Sequence, residues 1–182
     1  QLHNRIGGIM ITIDGGTGII LHNGVEIASD KMVDQWRVTS NTGVSQSSST
    51  TVTNWERVDT SGMGTLNGGM TQSSGIFTFP STGIYKVEFV PYFNDTAANN
   101  SVRGLIQTTT NNSSYDTRAQ NPTNIADIDT YNYGSVYVSA LLDVSNTSTH
   151  KVKFNVYSSY GTFDYNGDTT TNETSATFTR VG

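Results

Sequence analysis

The sequence predicts an all-β protein, a sandwich or barrel of short strands, and three observations lead there. Of its 182 residues, 28 are Thr, 20 Ser, 18 Gly and 17 Asn, so close to half the chain consists of small residues that form helices poorly. Only four Glu and four Lys are present, too few to clothe exposed helix faces. Apolar and β-branched residues fall instead in short alternating runs bounded by Gly, Asn, Asp, Ser and Pro. The same composition suits a disordered linker, but 18 aromatics (nine Tyr, seven Phe, two Trp) within those runs call for a packed interior. The length fits one domain of ordinary size with room for a short extra segment.

Taken in order, residues 1–35 read as hairpins. Ile9 to Ile13 is an apolar run ended by Asp14-Gly15-Gly16-Thr17-Gly18, and Ile19 to Leu21 leads to Asn23-Gly24, the favoured pair of a two-residue hairpin turn. A few such strands cannot bury both faces, so this segment needs partners. Trp36 to Thr39 is the next strand, Ser45 to Thr51 a low-complexity loop, and Val52 to Val58 a strand containing Trp55. Gly62 to Met70 supplies glycine-rich turns. Gly75 to Phe79 and Ile84 to Val90 form a hairpin about Pro80-Ser81-Thr82-Gly83, with Phe77 and Phe79 on one face, Tyr85, Val87 and Phe89 on another, and Gly83 where a positive φ is required. Val102 to Thr110 is a strand, and a long polar connection carrying Pro122 reaches Tyr133. Ser135 to Val144 is apolar enough for a buried strand, Lys151 to Tyr157 alternates cleanly, Ser158 to Glu173 is loop, and Ser175 to Val181 is the last strand. No internal repeat is visible.

The charge pattern narrows function. A net charge of −5 with ten scattered cations argues against a nucleic-acid partner. No apolar run is long enough to cross a membrane as a helix, and Gln1 to Arg5 does not begin a signal peptide. Without cysteine there is no disulfide or thiolate chemistry. His3, His22 and His150 are far apart and in polar contexts, and no Gly-x-Ser-x-Gly elbow accompanies them, so no enzyme is expected.

The segment Gly75-Ile76-Phe77-Thr78-Phe79-Pro80-Ser81-Thr82-Gly83-Ile84-Tyr85 resembles the Gly-x-Phe-x-x-Pro-x-x-Gly-x-Tyr signature of complement globular-head domains, members of the tumour necrosis factor-like superfamily of trimeric jelly rolls. Strand order resembles that superfamily over residues 36–182, with Phe154 in its late hairpin and Phe178 in its C-terminal strand. The resemblance implies a homotrimeric jelly-roll head over 36–182, preceded by a 1–35 hairpin segment. Those first residues lack the Gly-X-Y period of a collagen stalk. Together with the Thr, Asn, Ser and Gly richness, they look like virion proteins of bacteriophages, particularly marine ones. That likeness implies a fibre tip or capsid decoration on the particle surface, joined to other virion proteins through residues 1–35 and attaching to a host glycan or protein. A secreted lectin- or cytokine-like module is the alternative.

No cofactor is expected, with one candidate exception. Asp164, Asn166 and Asp168 place oxygen ligands at alternate positions, as calcium loops do, and Asp127-Ile128-Asp129 is a second pair, although neither has full EF-hand spacing. Tyr131, Tyr133, Tyr160, Phe163 and Tyr165 flank loops and are candidates for surface contact, since loop aromatics offer rigid area for stacking on sugars. Loops 94–100, 111–120 and 158–173 are expected on the outer surface. Apolar faces such as Tyr85–Phe89 and Val152–Tyr157 are expected to hold the trimer together.

Overall fold

A computed structural model describes residues 31–95, 101–126, 130 and 132–182 in full, and the backbone alone of residues 2–6, 9–13, 20–22, 25–26 and 100. The first four strands, β1 (Leu2–Ile6), β2 (Ile9–Ile13), β3 (Ile20–His22) and β4 (Val25–Glu26), form an antiparallel meander, each pairing with the next. β1 adds a strand that the sequence reading left out; its register runs from Leu2 opposite Ile13 to Ile6 opposite Ile9. The turns expected at residues 14–18 and 23–24 lie outside the described residues.

The remaining strands are β5 (Met32–Val38), β6 (Thr42–Val44), β7 (Ser49–Thr51), β8 (Trp55–Arg57), β9 (Thr71–Ser73), β10 (Ile76–Thr78), β11 (Gly83–Val90), β12 (Tyr92–Asp95), β13 (Asn100–Thr109), β14 (Asp116–Ile125), β15 (Asn132–Ser135), β16 (Val138–Val144), β17 (Lys151–Ser158), β18 (Phe163–Tyr165) and β19 (Ser175–Arg180). One sheet has the order β16-β11-β19-β5-β8, and the other β14-β13-β17-β10-β9 with β7 also on β17. Setting aside the short strands leaves two arrays, β16-β11-β19-β5 and β14-β13-β17-β10, and the chain passes between them at almost every connection. That is a jelly roll: eight strands in two antiparallel sheets packed face to face. Beyond Pro91 the first sheet gives way to a smaller one, β15-β12-β18-β6. Among the described residues there is no helix, and hence none long and apolar enough to cross a membrane.

Strand alternation explains the core. Phe77 of β10, Tyr85, Val87 and Phe89 of β11, Phe154 of β17 and Phe178 of β19 are fully buried between the sheets. Phe77 touches the rings of Trp36, Trp55, Phe154 and Phe178 at centroid distances of 5.0–5.5 Å, and Phe89 stacks on Phe154 at 4.8 Å. Such pairs add about 0.5–1.5 kcal/mol each beyond the burial of their area.

Four expectations are corrected. The polar connection around Pro122 is mostly strand β14, an edge strand that needs no apolar alternation because most of it faces water. Its proline is tolerated because an edge strand has one unpaired side. The low-complexity stretch contributes β7, held by hydrogen-bonded pairing with β17 rather than by apolar side chains. Val138 to Val144 is not wholly buried: β16 is the edge of its sheet, with Val138 and Val144 inside and Leu141 69% exposed. The face Tyr85–Phe89, and Val152, Phe154 and Val156 of the face Val152–Tyr157, are consumed by the chain's own core, so they are not free to hold a neighbouring copy.

Candidate functional site

The signature hairpin is a structural device. At Gly75 (φ +80°) a β-carbon would collide with the Val52 carbonyl, and at Gly83 (φ +139°) with the carbonyl of Gly182, which accepts a hydrogen bond from Ile84 N at 2.6 Å. Both positions therefore need glycine on two counts, backbone conformation and close approach. Pro80 lies against Gly69, where an added β-carbon would come within 2.9 Å of the proline ring. Phe79 packs on Tyr85 at 4.7 Å, and the Tyr85 hydroxyl donates to the Ser81 carbonyl at 3.0 Å. The aromatic side chains of the motif, Phe77, Phe79 and Tyr85, are thus turned into the fold.

Loop-flanking aromatics divide. Tyr133 and Tyr160 are exposed, and Tyr131 lies outside the described residues. Phe163 and Tyr165 are buried, which corrects their assignment as surface contacts. They alternate inward on β18, where Phe163 meets Phe93 edge-on at 5.1 Å. The calcium candidates are also dispersed. Asp164 faces outward on β18, Asn166 is buried, and one oxygen of Asp168 accepts from Thr170 N, the Thr170 hydroxyl and Thr171 N at 2.6–2.7 Å. Those hydrogen bonds close a turn and hold the Asp168 carboxyl below its ordinary pKa. Residues 127–129 are outside the described set. Among the described residues no three His, Asp or Glu side chains gather as a metal site. His150 approaches the Ser145 and Thr149 hydroxyls at 3.3 and 3.2 Å, and among the described residues no carboxylate meets either ring nitrogen to complete a triad.

What the structure does assemble is an apolar face. The outward residues of β11 are Ile84, Lys86, Glu88 and Val90, and those of β16 and the residue before it are Asp143, Leu141, Ser139 and Tyr137. Ladder register puts Lys86 between Leu141 and Thr179, and Glu88 between Ser139 and Thr177. Tyr133 continues the face on β15, and Val181 flanks it beside Ile84. Ile84, Tyr133, Tyr137, Leu141 and Val181 are five of the eight exposed large apolar side chains among the described residues. Concentration on one face distinguishes them from the scattered apolar residues of any surface.

Two of the charges on this face, Lys86 and Glu88, neutralise one another. Glu88 accepts from Lys86 Nζ at 2.7 Å and from the Tyr137 hydroxyl at 2.5 Å. Burial pushes the Glu88 carboxyl up, but the hydrogen bonds from Lys86 and Tyr137 bring it net below its usual value; the bond to Glu88 in turn raises Lys86. At the far end Tyr92 stacks on Tyr133, rings 5.7 Å apart and within 9° of parallel. Glu173 nearby is raised by burial and by Asp168. The sequence carried a signal for this face: in an alternating strand adjacent Leu141 and Leu142 cannot both point inward, and Ile84 and Val90 occupy outward positions.

No protein-family model matches the chain, and no curated protein matches it by sequence. Solved structures match by shape. Eiger TNF from S. frugiperda superposes with a TM-score of 0.61 at 13% identity, over 85% of this chain and 94% of that one. Murine APRIL at pH 5.0 gives 0.58 at 14% identity, over 83% and 99%. The fold is therefore a tumour necrosis factor-like jelly roll.

Proposed function

We propose that the chain is a structural bacteriophage virion protein, a fibre tip or capsid decoration, whose homotrimeric head is displayed for multivalent attachment to a host glycan or protein. The observation that carries the reading is the exposed apolar face of β16 and β11, on which Lys86 and Glu88 are paired. A chain of net charge −5 associates with its own copies most readily where charges are paired and apolar side chains are left uncovered. Of the expected 1–35 segment, the part with its own four-stranded sheet, β1 to β4, serves to join other virion proteins, and the head expected over 36–182 begins with β5 at Met32. The hydroxyl- and amide-rich, cysteine-free composition supports a place on a particle rather than in an animal-type complement molecule. Attachment would work by avidity: three sites per head and many heads per particle. The role is binding, not catalysis.

Two measurements test it. Light scattering should return three times the 19.7 kDa chain mass, and Leu141→Glu should shift the protein to monomer; a single-chain mass for the parent overturns the trimer. Peptides of the chain should be found in gradient-purified virus particles. A second reading, a secreted cytokine- or lectin-like module, is favoured by the shape likeness to Eiger TNF and APRIL. Recovery only from cell-free secretions would select it.

A further inference from the structure

The open edge of the sandwich, where β14 and β16 end their two sheets, holds a cleft of about 460 Å³. This lies within the size range of small-ligand sites, about 300–1,000 Å³. Its apolar floor includes Phe79 and Leu142, its wall carries the Thr108 to Thr110 segment, and Arg118, His150 and Lys151 line it along with Asp143. Arg118 reaches the cleft through a fault in the ladder. Ile106 pairs with Ala119 and Gln107 with Thr117, so Arg118 is the extra residue of a β-bulge. A bulge turns a side chain away from the direction that regular alternation dictates. Here the guanidinium Nε donates to the buried Thr108 hydroxyl at 3.3 Å, and Nη2 to Asp116 at 3.0 Å.

That arrangement orients a planar, permanently charged donor group beside hydroxyls and above an apolar floor. Asp116, itself 68% exposed, is a weak competitor for the guanidinium in water. We infer that the edge cleft binds an oxyanion carried on a sugar ring, a carboxylate or phosphate ester held by Arg118, with the threonine segment meeting ring hydroxyls and Leu142 and Phe79 meeting the ring face. Arg recognises both oxyanions through parallel N–H donors. The inference rests on the attachment reading for its biological sense but not for its test.

The test is titration of the full chain with trigalacturonate, glucose 6-phosphate and neutral galactose, followed by amide chemical shifts and calorimetry. At least one anionic probe should shift resonances of β14 and β16 while galactose does not, and which of the two binds identifies the oxyanion source. Arg118→Gln should weaken that binding at least tenfold with an unchanged melting temperature, and Asp116→Asn, which frees the guanidinium, should tighten it. Equal binding of galactose, shifts confined to other strands, or undiminished affinity in Arg118→Gln each overturns the cleft. Failure here leaves the attachment reading standing if the chain is found on virus particles; its absence from particles overturns attachment without touching a measured affinity.

Discussion

Replacing Arg57 by alanine is the sharpest test of how the head is held together. Asp34 is a carboxylate with no exposed side-chain surface, and Arg57, 40% exposed, grips both its oxygens, Nε to Oδ1 at 2.9 Å and Nη2 to Oδ2 at 3.0 Å. Met70 N supplies the third hydrogen bond, to Oδ2 at 3.0 Å. Arg57→Ala therefore removes two of three donors and the only charge partner among the described residues, stranding a buried anion. It also removes a hydrogen bond to the Met70 carbonyl and a cation–π contact 4.8 Å from the Trp36 ring. Stranding a buried charge in this way costs about 3–5 kcal/mol. For a chain of this size each kcal/mol lowers the melting temperature by about 2–4 °C, so the fall should be about 6–20 °C. Asp34→Asn should cost less, about 1–2 kcal/mol, because the released guanidinium still reaches water. In the double variant Asp34→Asn/Arg57→Ala no anion is stranded, and at least about 1 kcal/mol of the Arg57→Ala loss should return. Urea unfolding followed by tryptophan fluorescence, at fixed chain concentration and at low and high salt, measures all four. A loss under about 1 kcal/mol for Arg57→Ala, no recovery in the double variant, or a difference that salt alone abolishes would show an ordinary surface pair and refute the reasoning.

Three further outcomes follow from other parts of the fold. Gly75→Ala, which meets both an unfavourable φ and the Val52 carbonyl, should cost about 1–3 kcal/mol more than Gly62→Ala, where φ is +89° but no atom lies within 4 Å of the new carbon; equal losses in urea unfolding would remove the close approach from the explanation. Phe154→Ala, which empties a site bounded by Trp55, Phe77, Phe89 and Phe178, should lose about 3–5 kcal/mol, and a loss under about 2 kcal/mol would mean the neighbouring rings close over the gap. The raised carboxyl of Glu173 favours folding only while protonated: its contribution is complete below the ordinary 4.5 and disappears as pH rises through the higher folded value. Glu173→Gln should accordingly gain on the parent in melting temperature between pH 4 and pH 7, and a flat difference across that range would reject the assignment.

The strands that alternate, such as Ile84 to Val90 and Lys151 to Tyr157, were legible in the sequence because half their side chains must enter the core. β14 was not, since an exposed edge strand is specified by backbone pairing with β13, which leaves no apolar period. The signature glycines were legible for the turn they make, but the carbonyls that crowd them come from Val52 and Gly182, remote in the chain. The buried charges of β5 were hidden for a similar reason. Asp34 lies on the core side of β5, opposite Phe178, and Arg37 on the other side, and the groups that pair with them are remote in the chain: Arg57 and Met70 N on Asp34, and Glu56 and Asp59 on Arg37 at 2.7 Å each. The apolar face was half legible, in the Leu141-Leu142 pair. The bulge at Arg118 was not, because a bulge is a mismatch between two strands and leaves no mark on either alone.

The polar edge strand has a meaning at high density. Exposed strand edges recruit further strands, and crowded copies of a β protein are prone to zip together into continuous sheets. β14 ends its sheet with Pro122, which presents no N–H, and with the displaced Arg118, so a second β14 finds neither a complete row of donors nor a flat neighbour. Along this edge, crowded copies of the head therefore meet through side chains and not through a shared backbone ladder.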